Sequence, residues 1–262
     1  RGEIATRVIR ACHELGLQTV AIYVKEDEFS VHRFKADEAY LVGEGKAPIA
    51  AYLDIEDIIR IAKENHVDAI HPGYGFLSEN ATFARRIAEE GMTFVGPKPE
   101  HLEMFGDKIT AKRVARDAGV QTIPSTLHPV TSLNEALQFT QQYGYPIMIK
   151  AAMGGGGRGM RIVHEASELQ EAFDRARSEA MQSFGDDEIY LEKFIANPKH
   201  IEVQILADAH GNVMHLFERD CSVQRRNQKV IEFAPAVALP IELRQKICNA
   251  AVDLMKSVHY LN

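Results

Sequence analysis

The sequence predicts an α/β fold over its first part that passes into α+β later on. Two observations carry this. Helical and strand periodicities alternate through residues 1–97, which implies βαβ units and a parallel sheet. From residue 200 onward, alternating residues meet at a tight polar turn, the pattern of an antiparallel hairpin. Between these regions, residues 122–195 read as a compact unit that holds the main glycine cluster of the chain, Gly154 to Gly157.

In residues 3–15 the apolar positions Ile4, Val8, Ala11, Cys12 and Leu15 recur at helical spacing, and Gly16 supplies a stop. Residues 19–24 read as a buried strand. Asp54 is the cap of a second helix bearing Ile55, Ile58, Ile59 and Ala62. A short strand over 67–70, a helix over 80–90 and a strand over 93–95 follow, closed by Gly96-Pro97. A helix beginning at residue 3 has no strand before it, so a preceding first strand is expected.

Residues 98–121 read as a helical connection. The next unit runs helix 132–143, strand 146–152, glycine loop, strand 160–163, helix 166–182 and strand 188–194. Ile201, Val203 and Ile205 then alternate with Glu202 and Gln204, residues 208–212 turn, and 213–218 return. Leu243, Ile247, Ala251, Leu254 and Val258 mark a last helix over 240–259.

Of 262 residues, 45% are hydrophobic and 26% charged, an ordinary globular composition. Thirty basic against 37 acidic residues give a net charge of -7, which argues against a general nucleic-acid binder. Cys12, Cys221 and Cys248 form no CxxC pair and read as reduced thiols of an intracellular protein, Cys221 among them as an inert, semi-buried thiol. No apolar run nears the roughly 20 residues that span a bilayer. The chain opens at Arg1 without a signal peptide, so the cytoplasm or an organelle matrix is expected.

The strongest local signal is Lys150 followed by Gly154 to Gly157. Glycines leave backbone N–H groups unshielded, so they can close over a polyphosphate, and the Lys150 ammonium leaves a strand end just before them. No Gly-Lys-Ser/Thr follows, so this is not a Walker A loop. A lid closing over nucleotide and a mobile surface hairpin are the two readings. Glu192 to Ile195 end the next strand, either as a solvated edge or as an adenine reader in which Glu192 accepts from the exocyclic amine. Lys108, after Gly106-Asp107, faces solvent unless the fold brings it towards Lys150.

His200, Glu202 and Gln204 fall on one strand face, exposed or aimed into a polar cleft. Arg219, Arg225, Arg226 and Lys229 lie within eleven residues; they can hold anions, with Gln224 and Asn227 setting orientation, or form a polar loop. Residues 71–80 follow a strand end, where parallel α/β sheets bind ligands, with Ser78 or Asn80 as a helix cap; a purely structural role fits equally. No Ser-His-Asp pattern, HExxH or metal-spaced Cys/His cluster occurs, and no acidic pair suited to Mg²⁺ is evident.

Taken in order, seven segments resemble the biotin carboxylase family of the ATP-grasp superfamily. They are RGEIA (1–5), HPGYGFLSEN (71–80), GDK (106–108), IKAAMGGGGRGMR (149–161), LEKFI (191–195), KHIEVQ (199–204) and ERDCSVQRRNQKVIE (218–232). SVHRFKADEAYLVGEG (30–45) and YLDIEDII (52–59) look most like the pyruvate carboxylase branch. Asn227 points the same way, since many other members place His there; acetyl-CoA and propionyl-CoA carboxylases are the alternatives.

The resemblance implies a Rossmann-like parallel-sheet N-terminal domain (1–97), a helical connection (98–121), an ATP-grasp lid (122–195) and the start of the ATP-grasp C-terminal subdomain (196–262). It implies that Lys108 and Lys150 bind ATP phosphates, Gly156 and Gly157 lie in the lid, and Glu192, Lys193, Phe194 and Ile195 read adenine. His200, Gln224 and Asn227 would lie along the nucleotide, and Lys229 would hold bicarbonate; Lys108 and Lys229 are the catalytic candidates. In the family reaction, bicarbonate attacks the γ-phosphate of ATP to give carboxyphosphate and ADP, and CO₂ released from it carboxylates deprotonated biotin. Lysines suit this chemistry because phosphoryl transfer depends on positioning and charge neutralisation.

The implied cofactors are ATP, Mg²⁺ or Mn²⁺, and biotin as acceptor; the implied partners are bicarbonate and a biotinylated carrier domain, in a homo-oligomer without nucleic acid or membrane. In relatives the metal-binding glutamates, the base and a biotin-contacting arginine follow the position where this chain ends. Nucleotide binding without biotin carboxylation is therefore the expectation for these residues alone. A non-catalytic nucleotide-binding or interaction module is the alternative of another class, and another ATP-grasp ligase acting on a carboxylate is a third, against which the 218–226 segment argues.

Overall fold

The chain folds as an ordered series of α/β elements, seen in a computed structural model that describes residues 1–151, 160–226 and 228–261, with backbone alone for Lys108 and Phe184. Its contacts separate two units: residues 1–111 with 206–213 and 256–262, and residues 112–205 with 214–255.

In the first unit, α1 (Gly2–Glu14) leads to β1 (Val20–Tyr23), α2 (Val31–Lys35), β2 (Glu38–Leu41) and α3 (Pro48–Tyr52). Then come α4 (Ile55–Glu64), β3 (Ala69–Ile70), α5 (Ala81–Glu89), β4 (Thr93–Phe94) and α6 (Pro99–Gly106). The strands pair in parallel, as expected, but as two pairs, β1 with β2 and β3 with β4. The strand β2 and the short helices α2 and α3 escape the periodicity reading, because elements of four or five residues carry too few positions to show a period. Asp54 and Asn80 both cap as expected, accepting from the N–H groups of Asp57 and Phe83. Apolar faces of these elements meet in a core of Val24, Val42, Tyr52, Ile58, Phe83 and Ile87.

The boundary between the units falls within α7 (Lys108–Asp117). The second unit continues with α8 (Leu133–Tyr143), β5 (Ile147–Ala151), β6 (Met160–Val163), α9 (Leu169–Phe184) and β7 (Ile189–Lys193). The sheet order is β6-β5-β7, antiparallel throughout. Strand alternation buries Ile147, Ile149, Val163, Ile189 and Leu191 against Phe139 of α8 and Phe173 of α9. The same alternation sends Met148, Lys150, Tyr190 and Glu192 to the other face. Residues 124–130 run beside β7: Lys193 N–H donates to the Pro124 carbonyl at 2.8 Å, Thr126 N–H to the Leu191 carbonyl at 2.9 Å, and Val130 N–H to the Ile189 carbonyl at 2.8 Å.

The last sheet is β8 (Ile201–Ala207), β9 (Val213–Arg225) and β10 (Gln228–Phe233), in the order β10-β9-β8, followed by α10 (Ile241–Ser257). Residues 208–212 turn as expected, with Asp208 accepting from Asn212 and His210. The return strand is longer than its periodicity implies. It runs through the polar segment 218–225 and forms a second hairpin with β10, so this segment is a strand and not a loop. Cross-strand partners there satisfy the polar side chains that break the apolar alternation.

Candidate functional site

Two groups of polar side chains assemble in the second unit, one on each sheet. In the first, Lys150 of β5 and Glu192 of β7 share the face turned away from the core. Met148 stands opposite Glu192 and Tyr190 opposite Lys150, so the ion pair spans the diagonal that long side chains reach. Lys150 Nζ donates to Glu192 Oε1 at 2.5 Å, and Lys112 Nζ of α7 donates to Glu192 Oε2 at 2.5 Å. Burial by itself raises the Glu192 carboxyl, but the bonds from Lys112 and then Lys150 outweigh it and hold the group below its ordinary value.

From sequence Glu192 is either part of a solvated edge or an acceptor from the adenine amine; the structure shows each of its carboxylate oxygens accepting from a lysine. The neighbouring backbone is also engaged: Lys193 N–H donates to Pro124 at 2.8 Å and Phe194 N–H to Pro146 at 3.1 Å. Lys193 Nζ donates to the Tyr145 carbonyl at 2.8 Å, and Ile195 stays exposed. Lys112 was not singled out by sequence. A lysine in a helix has no local signature of function, and its partner lies 80 residues away.

The second group lies on β8, β9 and β10. Gln224 Nε2 and His200 Nδ1 are 2.8 Å apart, and Gln224 pairs in register with Lys229. Lys229 Nζ donates to Glu202 and lies 3.3 Å from Glu232. Arg219 donates to Glu202 at 2.8 Å through Nε and to Gln204 at 3.1 Å. The His200, Glu202 and Gln204 face is thus a paired polar surface. Burial alone raises Glu202, but bonds from Lys229 and then Arg219 bring its carboxyl down to about 2. The Glu202 bond in turn raises Lys229, against burial.

Among the described residues, Glu202, Cys221 and Glu232 form one group of potential metal ligands, with donor atoms within 4.8 Å of one another. Its chemistry does not suit Mg²⁺ or Mn²⁺. Both carboxylates already neutralise Arg219 and Lys229. Burial, and then Glu202, push the Cys221 thiol up, so it stays protonated where a metal needs a thiolate. Cys221 is fully buried, as an inert thiol would be.

Lys108 opens α7, four residues before Lys112. Gly156, Gly157 and Asn227 lie outside the described residues. In the first unit, His71 follows β3 and accepts from Gly73 N–H at 3.0 Å. It lines two neighbouring cavities of about 220 and 370 Å³, together with Arg1, Ile4 and Gly73.

The comparisons with known proteins bear on both units. Residues 1–102 match the biotin carboxylase N-terminal domain, and residues 107–262 match the ATP-binding domain of the carbamoyl-phosphate synthase L chain. The chain belongs to this ATP-binding family, joined to a biotin carboxylase N-terminal domain. Within the family it is similar along its whole length to pyruvate carboxylase of Bacillus subtilis (strain 168), at 65% identity, and to mitochondrial pyruvate carboxylase of Homo sapiens, at 57%. It spans 23% and 22% of those proteins, about a quarter of their length.

Among solved structures, the biotin carboxylase domain of Hydrogenobacter thermophilus 2-oxoglutarate carboxylase superposes with a TM-score of 0.85 at 48% identity. That match covers all of this chain and 57% of the other, a dimer in complex with MgADP, ADP and bicarbonate. The mixed parallel and antiparallel α/β architecture described above is therefore that of a biotin carboxylase ATP-grasp domain. No helix among the described residues is long and apolar enough to cross a membrane.

Proposed function

We propose that this chain binds the nucleotide in an ATP-dependent carboxylation of biotin by bicarbonate, as the biotin carboxylase part of a pyruvate carboxylase. The observation that carries the reading is Lys150, held at the end of β5 on the polar sheet face, four residues before Gly154. Its ammonium has a carboxylate partner that a polyphosphate can replace.

In this reading Lys108 and Lys150 neutralise the phosphates, Gly156 and Gly157 close over them, and the 192–195 strand end meets adenine. His200, Gln224 and Asn227 lie along the nucleotide. Lys229, fixed between Glu202 and Glu232, holds bicarbonate by sharing its three donors. Bicarbonate oxygen attacks the γ-phosphorus and ADP leaves. The carbon–oxygen bond of the carboxyphosphate then breaks to give CO₂ and inorganic phosphate, the phosphate can take up the proton that biotin loses, and the deprotonated biotin nitrogen attacks the CO₂. A divalent cation supplies charge neutralisation between the phosphates when bound; the described residues offer no group fitted to hold it.

The four-part division at residues 97, 121 and 195 follows from the same reading, as do a homo-oligomer, a biotinylated carrier partner and a cytoplasmic or mitochondrial location. The relatives support this assignment by name and by the ligands in the Hydrogenobacter structure. Titration calorimetry of the chain with ATP tests it. Binding that Lys150→Ala weakens at least about tenfold supports the site, and an unchanged affinity overturns it. Bicarbonate-dependent ATP cleavage with free biotin by the full-length natural protein separates a carboxylase from a module that only binds nucleotide.

A further inference from the structure

We propose that Lys112 is a positioning residue of the nucleotide site, which keeps the Glu192 carboxylate paired when Lys150 turns to polyphosphate. The inference rests on the nucleotide reading above and deepens it.

The geometry divides Glu192 cleanly between two cations. Oε1 takes Lys150 and Oε2 takes Lys112, each at 2.5 Å, and Lys112 also donates to Ser125 Oγ at 3.2 Å. The Glu192 side chain is 18% exposed, against 35% for Lys112 and 34% for Lys150. The carboxylate is the more buried member, so it is the group harmed most by losing a partner.

With one lysine alone, capture of Lys150 by phosphate would strand a half-buried anion beside an incoming polyanion. That penalty opposes binding, and Lys150 would remain on Glu192. Lys112 removes the conflict. It approaches from α7, a different element from the strand that bears Lys150, so it stays in place when Lys150 moves. The bond to Ser125, which itself bridges to Glu192 in the β7 edge pairing, fixes its ammonium from a second side. Glu192 therefore has one exchangeable partner and one standing partner.

A purely structural tether between α7 and the sheet would show the same bonds, but it would respond differently to ligands. Its loss would affect every ligand of the site alike, whereas a partner for Glu192 matters only when phosphates compete for Lys150. Calorimetry with ATP and with adenosine on the full chain separates the two, accompanied by thermal melts. Lys112→Met is expected to weaken ATP about tenfold and adenosine less than about twofold, while Lys112→Arg restores most of the loss. In a Glu192→Gln background, where no anion is left to strand, Lys112→Met is expected to change ATP binding less than about twofold.

Equal ATP affinity of wild type and Lys112→Met overturns the inference while leaving the nucleotide site standing. An equal loss for ATP and adenosine, with a matching fall in melting temperature, assigns Lys112 to structure and also overturns it. A full loss retained in the Glu192→Gln background overturns it in favour of direct phosphate contact. Absence of ATP binding by the wild type sinks the nucleotide reading and this inference together.

Discussion

Lys150 and Glu192 meet across neighbouring strands two residues from direct opposition, with Nζ 2.5 Å from Oε1. The pair needs strand alternation to share a face and antiparallel register to share a diagonal. Its carboxyl titrates below the ordinary value, because the two lysines outweigh burial. The folded value lies under the unfolded one, so the pairing stabilises fully above the unfolded carboxylate pKa of about 4.3 and is lost as pH falls through the folded value. Glu192→Gln removes that acid limb. Denaturation midpoints should therefore fall less for the variant than for wild type between about pH 6 and about pH 3; parallel falls would show that the pairing adds no stability.

Glu218 is almost fully buried, and it accepts from Arg244 Nε at 2.7 Å and from Ala236 N–H at 3.0 Å. Burial raises this carboxyl, and Arg244 with the backbone donors more than offsets that. Arg244→Ala leaves the charge without its cation, which should destabilise by about 3 kcal/mol in urea denaturation. Glu218→Gln keeps an acceptor for Ala236 and should cost less. A larger loss for Glu218→Gln would contradict the charge argument.

Lys229 draws its raised pKa first from Glu202. Glu202→Gln should move the Lys229 titration back towards the ordinary lysine value, read by the carbon shift of dimethylated Lys229 across a pH series. The same variant should leave Arg219 with Gln204 as its partner on β8. An unmoved Lys229 titration would mean that Glu232 alone sets its charge.

Cys221 and Cys248 are buried, each pushed up first by burial, while Cys12 is half-buried on α1. Native protein treated with a thiol reagent should lose Cys12 first, and the other two should react only as denaturant unfolds the second unit. Mass spectrometry of the labelled peptides reads the order directly. Rapid native labelling of Cys221 would contradict its closed environment.

Ile149 lies fully buried at the centre of β5, among Phe139, Phe173 and Leu191. Ile149→Ala should destabilise by about 3 kcal/mol, the transfer loss plus the cavity it leaves. A loss below about 1 kcal/mol, measured by urea denaturation, would mean that the sheet collapses to fill the space.

Long periodic elements were legible from residues alone. α1, α4, α5, α8 and α10 follow their apolar spacing, and Asp54 and Asn80 sit at the caps that their chemistry favours. Lys150 was legible because a lysine at a strand end before four glycines is a local pattern. The second hairpin was less so: its strand carries Arg219, Gln224 and Arg225, which read as a loop until Glu202 and His200 are placed opposite them.

Local periodicity, caps and the order of short motifs thus determined the fold class and the family by themselves, since each depends on residues close in the chain. Only the tertiary structure decided which charges meet. Lys112 finds Glu192 80 residues on, and Lys229 finds Glu202 27 residues back. Such pairings depend on strand register and on helix placement. Shifting a strand by one residue would send its charges to the opposite face, and no local pattern encodes that choice.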